Sequence, residues 1–205
     1  MRERFSTGSG RLEAFSDGVI AVIITIMVLD LRPPHGVDLA SLHEIVPTLA
    51  AYVISFIFVG IYWNNHHHLF LAAGRIDGRV MWANLHFLFW LSLAPFVTAW
   101  VGQNPSAAVP TALYCLVLFC DGIAYVLLRR SLMAVMGQDA AFSKALRVDI
   151  KGRISVVCYI VAIGFAFVYP PISDALVFAV AMMWFIPDDR LEPVIAERAE
   201  TTPQV

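Results

Sequence analysis

The sequence predicts an all-α, polytopic membrane protein with six transmembrane helices per chain. Three observations carry that prediction: an excess of apolar residues, a scarcity of charge, and basic residues that fall on one side of a six-span plan. Of the 205 residues, 59% are hydrophobic without counting glycine, and the 12 glycines raise the apolar share to about 65%, against about 45 to 50% for a soluble domain. Charged residues make up only 15%, where a soluble domain carries about 25%. Six spans of about 20 residues take roughly 120 residues and leave about 85 for tails and connections. No separate soluble enzyme domain fits in that remainder. A formal net charge of -2 gives no basis for nucleic-acid binding. The three cysteines, Cys115, Cys120 and Cys158, sit in apolar runs and are odd in number, which argues against a disulfide scaffold.

The first apolar run extends from Gly18 to Leu29 between Asp17 and Asp30, and its helix is expected to begin near Glu13. The second, Ile45 to Gly74, lacks formal charge, and its apolar part reaches about Trp63. Val80 to Cys120 is also free of formal charge but is interrupted by Gly102, Asn104, Pro105 and Pro110, the mark of two spans and a turn. The fifth run, Ile154 to Tyr169, stops at Pro170 and Pro171, and the sixth continues from Ile172 to Pro187. Backbone amides in hydrocarbon need internal partners, so these segments must be helical.

On this plan all 14 basic residues except Arg32 fall on one face. Arg2, Arg4 and Arg11 precede the first span, Arg75 and Arg79 follow the second, Arg129 to Arg153 lie between the fourth and fifth, and Arg190 and Arg198 are in the tail. The positive-inside rule puts that face, with both termini, in the cytoplasm. The expected divisions are an N-terminal tail over 1–10, a membrane domain over 11–187 and a C-terminal tail over 188–205, the last polar and poorly ordered. The opening segment has no small-residue cleavage site after its apolar run, so it reads as a retained helix rather than a signal peptide. Trp63, Trp82, Trp100 and Trp184 fall near span ends, where indoles settle at the headgroup level or serve as core aromatics.

The first helix places Arg11, Phe15, Ser16 and Asp17 at the entry of a span. An unpaired Asp at a membrane centre costs about 2.5 to 3.5 kcal/mol, so Asp17 should lie near the interface or bond to Ser16, Arg11 or a neighbouring helix. A helix cap at Ser16 or Asp17 is an equal alternative. Past them, Val22, Ile26 and Leu29 fall at i, i+4 and i+7 with Thr25 beside them, one stripe of a helix. Such a stripe ordinarily faces a core.

Arg11 followed after three residues by Phe15, Ser16 and Asp17, at the head of the first of six spans, resembles the RxxxFSD signature of the transmembrane protein 175 family. The segment IYWNNHHHLF, Ile61 to Phe70, is similar to bacterial members as well. Members are potassium channels of lysosomes and bacteria, and single-repeat bacterial forms assemble as tetramers. The resemblance implies that the first helix of each subunit lines a central pore, with rings of Val22, Ile26 and Leu29 able to gate by excluding water and a hydroxyl ring at Thr25. Relative to Asp17, the narrowest family position, often Ile or Leu, falls on Val22. Valine is smaller, which moves the expected constriction toward Ile26 or Leu29. There is no TVGYG-type filter, so potassium preference should be modest.

Consecutive helical residues point about 100° apart, so His66, His67 and His68 cannot converge on one metal ion from a regular helix. They read better, with Asn64, Asn65, Asn84 and His86, as interhelical hydrogen-bond partners for Arg11, Ser16 or Asp17; a proton-sensing role stays open. Asp121 and Asp174 read as structural carboxylates, Asp121 pairing toward Arg129 and Arg130 and Asp174 near the outer interface. The basic stretch Lys144 to Arg153 suits a helix lying on anionic lipid. The combined expectation is a passive potassium channel, a homotetramer in an inner or plasma membrane, with no enzymatic activity, no metal and no cofactor beyond permeant potassium. The alternative is a proton-coupled secondary transporter using Asp17, Asp121 and the histidines, against which stands the lack of paired Gly/Pro-broken helices in matching halves.

Overall fold

The structure, a computed structural model, describes residues 3–73, 75–136 and 150–185, with side chains from residue 10 onward. Among these residues there are seven α-helices: α1 (Glu3–Ile26), α2 (Val46–Leu71), α3 (Gly78–Leu91), α4 (Ala94–Gln103), α5 (Ala108–Val135), α6 (Ile150–Phe165) and α7 (Pro170–Phe185). Short 3-10 turns at Met27–Asp30 and Ala40–Glu44 flank the first connection. Lys144, Arg147, Arg190, Arg198 and the tail after Phe185 lie outside the described residues.

The first helix begins at Glu3 rather than near Glu13. Hydropathy registers only the part of a helix that meets hydrocarbon, and the polar turns before it propagate the same hydrogen-bond ladder in water. This also removes the capping alternative, because Ser16 and Asp17 lie in mid-helix. In the same way α2 continues through the polar stretch past Trp63 to Leu71.

The third expected span is divided. Pro95 has no amide to close onto the Leu91 carbonyl and its ring crowds that position, so α3 ends and α4 restarts with proline in its first turn. Together they make one apolar segment, Gly78–Gln103, interrupted at Ser92–Leu93. The start of α3 is fixed by Asp77, whose Oδ1 accepts a 3.0 Å hydrogen bond from the Val80 amide. The turn expected around Asn104 and Pro105 separates α4 from α5.

Among the described residues, four segments are long and apolar enough to cross a bilayer: Gly10–Asp30, Val46–Leu71, Gly78–Gln103 and Ala108–Val135. The 16 residues described in each of α6 and α7 reach about 24 Å, short of the roughly 30 Å hydrocarbon layer.

Two buried clusters hold the bundle. One joins α1 to α2, α3 and α5 through Ile20, Ile23, Met27, Phe70, Phe87 and Leu128. The other joins α2, α4, α5, α6 and α7 through Phe58, Val97, Tyr114, Leu118, Tyr159 and Val177. The main helix pairings are α3 with α5, α5 with α6, α2 with α4 and α6 with α7, so α1 stands at the margin of its own bundle.

Helices α2 and α4 approach closely at Gly102. Its carbonyl accepts a 3.1 Å bond from Thr48 Oγ1, and a Cβ placed on it would meet the Thr48 Cα at 2.9 Å and the Ala51 Cβ at 3.3 Å. Since the obstacle is backbone, Gly102→Val is expected to separate the two helices and destabilise the protein by about 1 to 3 kcal/mol. Thermal unfolding in detergent checks this, and an unchanged midpoint would refute the close packing.

Candidate functional site: the first helix and its anchors

The two faces of α1 differ. Leu12, Ser16, Ile20, Ile23 and Met27 are buried, at spacings that follow one side of the helix. The opposite side carries Phe15, Val22 and Ile26, exposed by 52%, 57% and 40%, and Leu29, in the 3-10 turn that follows the helix, is exposed by 77%. Thr25 is exposed on that side too. Its hydroxyl donates back to the Ala21 carbonyl at 2.8 Å and the Val22 carbonyl at 3.0 Å. With its proton turned into the helix, the Thr25 oxygen has lone pairs left to turn outward, as a cation would need. A Cβ on Gly18 would meet nothing within 4 Å, so the open face extends toward the signature residues.

The buried side is held by a three-residue hydrogen-bond chain. Ser16 Oγ donates to the Leu12 carbonyl at 2.8 Å, Asn84 Nδ2 donates to Ser16 Oγ at 2.8 Å, and Asn84 Oδ1 lies 2.8 Å from His66 Nε2. The proton directions follow from one end. A carbonyl can only accept, so Ser16 is the donor to Leu12 and the acceptor from Asn84, and the Asn84 oxygen is left facing His66. His66 therefore carries its proton on Nε2. Its Nδ1 is buried without a hydrogen-bond partner among the described residues. Phe70 and Phe87 stack on the imidazole at 4.5 and 5.8 Å between centroids, which keeps this chain linking α1, α2 and α3 out of water. Ser16, Asn84 and His66 are each 0% exposed.

A second set of contacts runs beside it. Trp63 Nε1 donates to Asp17 Oδ1 at 2.9 Å, and His67 Nδ1 lies 3.1 Å from Glu13 Oε1. Trp63 stacks on His67, with 5.7 Å between centroids. Glu13 and Asp17 are four apart on α1, and Trp63 and His67 are four apart on α2. In antiparallel helices those two i, i+4 pairs match in register.

Of the residues singled out in the sequence, Ser16, Asp17, His66 and His67 are brought together at the α1–α2–α3 junction. His68 is half-buried and touches His67 ring to ring. Arg11 and Phe15 are exposed, and Arg11 forms no ion pair among the described residues. His86 instead accepts from Trp90 Nε1 within α3 at 3.0 Å. Sequence reasoning missed Glu13 and the bond from Trp63. The matching i, i+4 pairs were the available signal.

Asp121 does not reach toward Arg129 and Arg130. It is 2% exposed and lines a cavity of about 10 Å³ with Ser55, Tyr62 and Tyr114, and its Oδ1 has no hydrogen-bond partner among the described residues. The cavity has room for about one water. The reason is position: Asp121 sits well inside α5, about 12 Å along the helix from Arg129. Among the described residues no group of three metal-ligating side chains occurs.

The fold and this junction define a class: a polytopic helical membrane protein whose first helix is clamped on one side and left apolar and uncovered on the other. The sequence profile of the family described as endosomal/lysosomal potassium channel TMEM175 matches residues 11–95. A potassium channel of Chryseobacterium sp. (strain P1-3) is 47% identical, over 92% of this chain and 98% of that protein. One of Streptomyces collinus is 33% identical, over 82% and 86%. The crystal structure of a lysosomal potassium-selective channel TMEM175 homolog from Chamaesiphon minutus superimposes with a TM-score of 0.77 at 26% identity, covering 89% of this chain and 99% of that one. The chain belongs to the TMEM175 family of ion channels.

Ser16→Ala would strand a buried Asn84 donor, and Asn84→Ala would strand the His66 Nε2–H and take away the bond that ties Ser16 to α3. Losses of about 1 to 3 kcal/mol are expected for Ser16→Ala, and more for Asn84→Ala. Thermal unfolding of the purified protein measures both, and equal, negligible losses would show that the chain does not hold α1.

Proposed function

We propose that the protein is a potassium channel that conducts passively through a central pore lined by α1 of each subunit in a homotetramer. The observation that carries this reading is the uncovered apolar face of α1, set against a buried face fixed by the Ser16–Asn84–His66 chain. A helix packed only for stability needs no polar clamp, since lipid accepts aliphatic side chains in any rotation. A helix that must present Val22, Thr25, Ile26 and Leu29 to an axis needs a defined rotation.

Two cavities lined by described residues inside a single subunit are too small to conduct. The space beside Asp121 holds about one water, and a neighbouring cavity of about 30 Å³ beside Tyr62, Tyr125 and Tyr159 holds about two. Neither is a conduit. Four copies of the α1 stripe would give rings of branched side chains spread over about 10 Å, which gate by excluding water, and a ring of Thr25 oxygens able to replace part of a potassium ion's hydration. The relatives named above are described as potassium channels. The remaining elements of this reading are six spans completed by α6 and α7, both termini in the cytoplasm of an inner or plasma membrane, and potassium as the permeant ion.

Purified protein in liposomes tests it. Potassium should move down its own gradient at a rate unaffected by an imposed proton gradient, whereas a proton-coupled transporter would require one. Val22→Asn, Ile26→Asn and Leu29→Asn should each hydrate the constriction and raise flux, most at the narrowest ring. If none of the three alters flux, α1 does not line the pore.

A further inference from the structure

A groove of about 560 Å³ lies at the basic end of the bundle, between the α2–α3 connection and the last turns of α5, with Arg75, Arg79 and Arg130 on its walls. On α5 its wall is formed by Leu127, Arg130, Ser131 and Ala134, at i, i+3, i+4 and i+7, a single helical face. Its one acidic residue, Asp77, has an oxygen engaged at the α3 start, where Oδ1 accepts from the Val80 amide. Arg79 and Arg130 are exposed, and neither forms an ion pair among the described residues. Among the described residues that line it, the groove therefore gathers three guanidinium groups and one carboxylate.

Position decides which anion such a groove receives. The 28 residues of α5 extend about 42 Å, well beyond the roughly 30 Å of hydrocarbon. Its final turns, with Arg130, thus project into the headgroup layer. Leu127 is 41% exposed and lies on the membrane side of Arg130, an apolar wall that a soluble phosphate has no use for and an acyl chain does. Guanidinium forks match phosphate oxygens in pairs.

We propose that this groove binds one anionic phospholipid per subunit, its phosphate held by Arg79 and Arg130 with Arg75 adding charge, and its chain lying along Leu127. A zwitterionic headgroup is disfavoured because its ammonium would be carried into the same positive field. The site lies apart from α1 and does not depend on the channel reading.

Native mass spectrometry of the full chain in detergent, titrated with phosphatidylglycerol or phosphatidylcholine, tests the proposal. The wild type should retain about one phosphatidylglycerol per subunit and bind phosphatidylcholine weakly. The double variant Arg79→Gln/Arg130→Gln should bind phosphatidylglycerol about thirtyfold more weakly, while Arg79→Lys/Arg130→Lys keeps the charge and should lose much less. Both pairs are surface changes, and unchanged thermal unfolding would confirm that the variants fold; should the Gln pair fail to fold, wild-type lipid preference decides. Equal phosphatidylglycerol binding by the wild type and the Gln variant overturns the proposal, as does equal affinity for the two lipids. Displacement of the lipid by millimolar inorganic phosphate would also overturn it, by showing an anion site with no use for a lipid.

Discussion

The rotation of α1 about its own axis is fixed by hydrogen bonds, and that rotation decides which of its faces meets α2 and α3. Inside a bilayer, apolar packing discriminates poorly between orientations, because lipid tails and leucine side chains are equivalent neighbours. A buried serine, asparagine and histidine are different. Turned to lipid they would lose partners at a cost of about 1 to 3 kcal/mol each. Ser16 can reach Asn84 only when Leu12, Ile20, Ile23 and Met27 face α2 and α3, and that orientation sends Val22, Thr25 and Leu29 the other way. The signature serine and the aliphatic stripe are thus two consequences of one angular constraint.

The aromatic surroundings of His66 sharpen it. Phe70 and Phe87 exclude water from the imidazole, so the bond to Asn84 has no aqueous competitor. The matched pairs Glu13–His67 and Asp17–Trp63 add a second restraint that sets how far α1 slides along α2. Rotation and translation are thereby separately specified, the first by neutral groups in the interior and the second by acidic groups nearer the edge.

Much of this was legible in the sequence, and the failures have physical causes. The positions of the apolar runs, the turn near Pro105 and hydrogen bonding between helices by the asparagine and histidine residues near Ser16 could be read from composition and spacing. The start of α1 could not, because polar turns outside the membrane leave no hydropathy signal while continuing the helix. Nor was the division at Ser92–Leu93 foreseen: Pro95 stands in an unbroken apolar run, and proline inside such a run can kink a span or be absorbed in it. Asp121 was read by its distance along the chain from Arg129 and Arg130, but eight residues of helix separate groups that a side chain cannot bridge. The exchange between Asp17 and Trp63 was hidden because tryptophan near a span end has an ordinary explanation at the headgroup level.

The break before Pro95 separates two sets of contacts. Before the break α3 packs on α5 and presents Asn84 to α1; after it α4 packs on α2, where Gly102 allows close approach and Thr98 donates to Ser55 at 2.7 Å. Ser55 in turn lies 2.8 Å from the Tyr114 hydroxyl, joining α2, α4 and α5. One apolar segment therefore serves two polar junctions, one on each side of the break. The proline interrupts the helix, and the hydrogen bonds on either side hold each half in place.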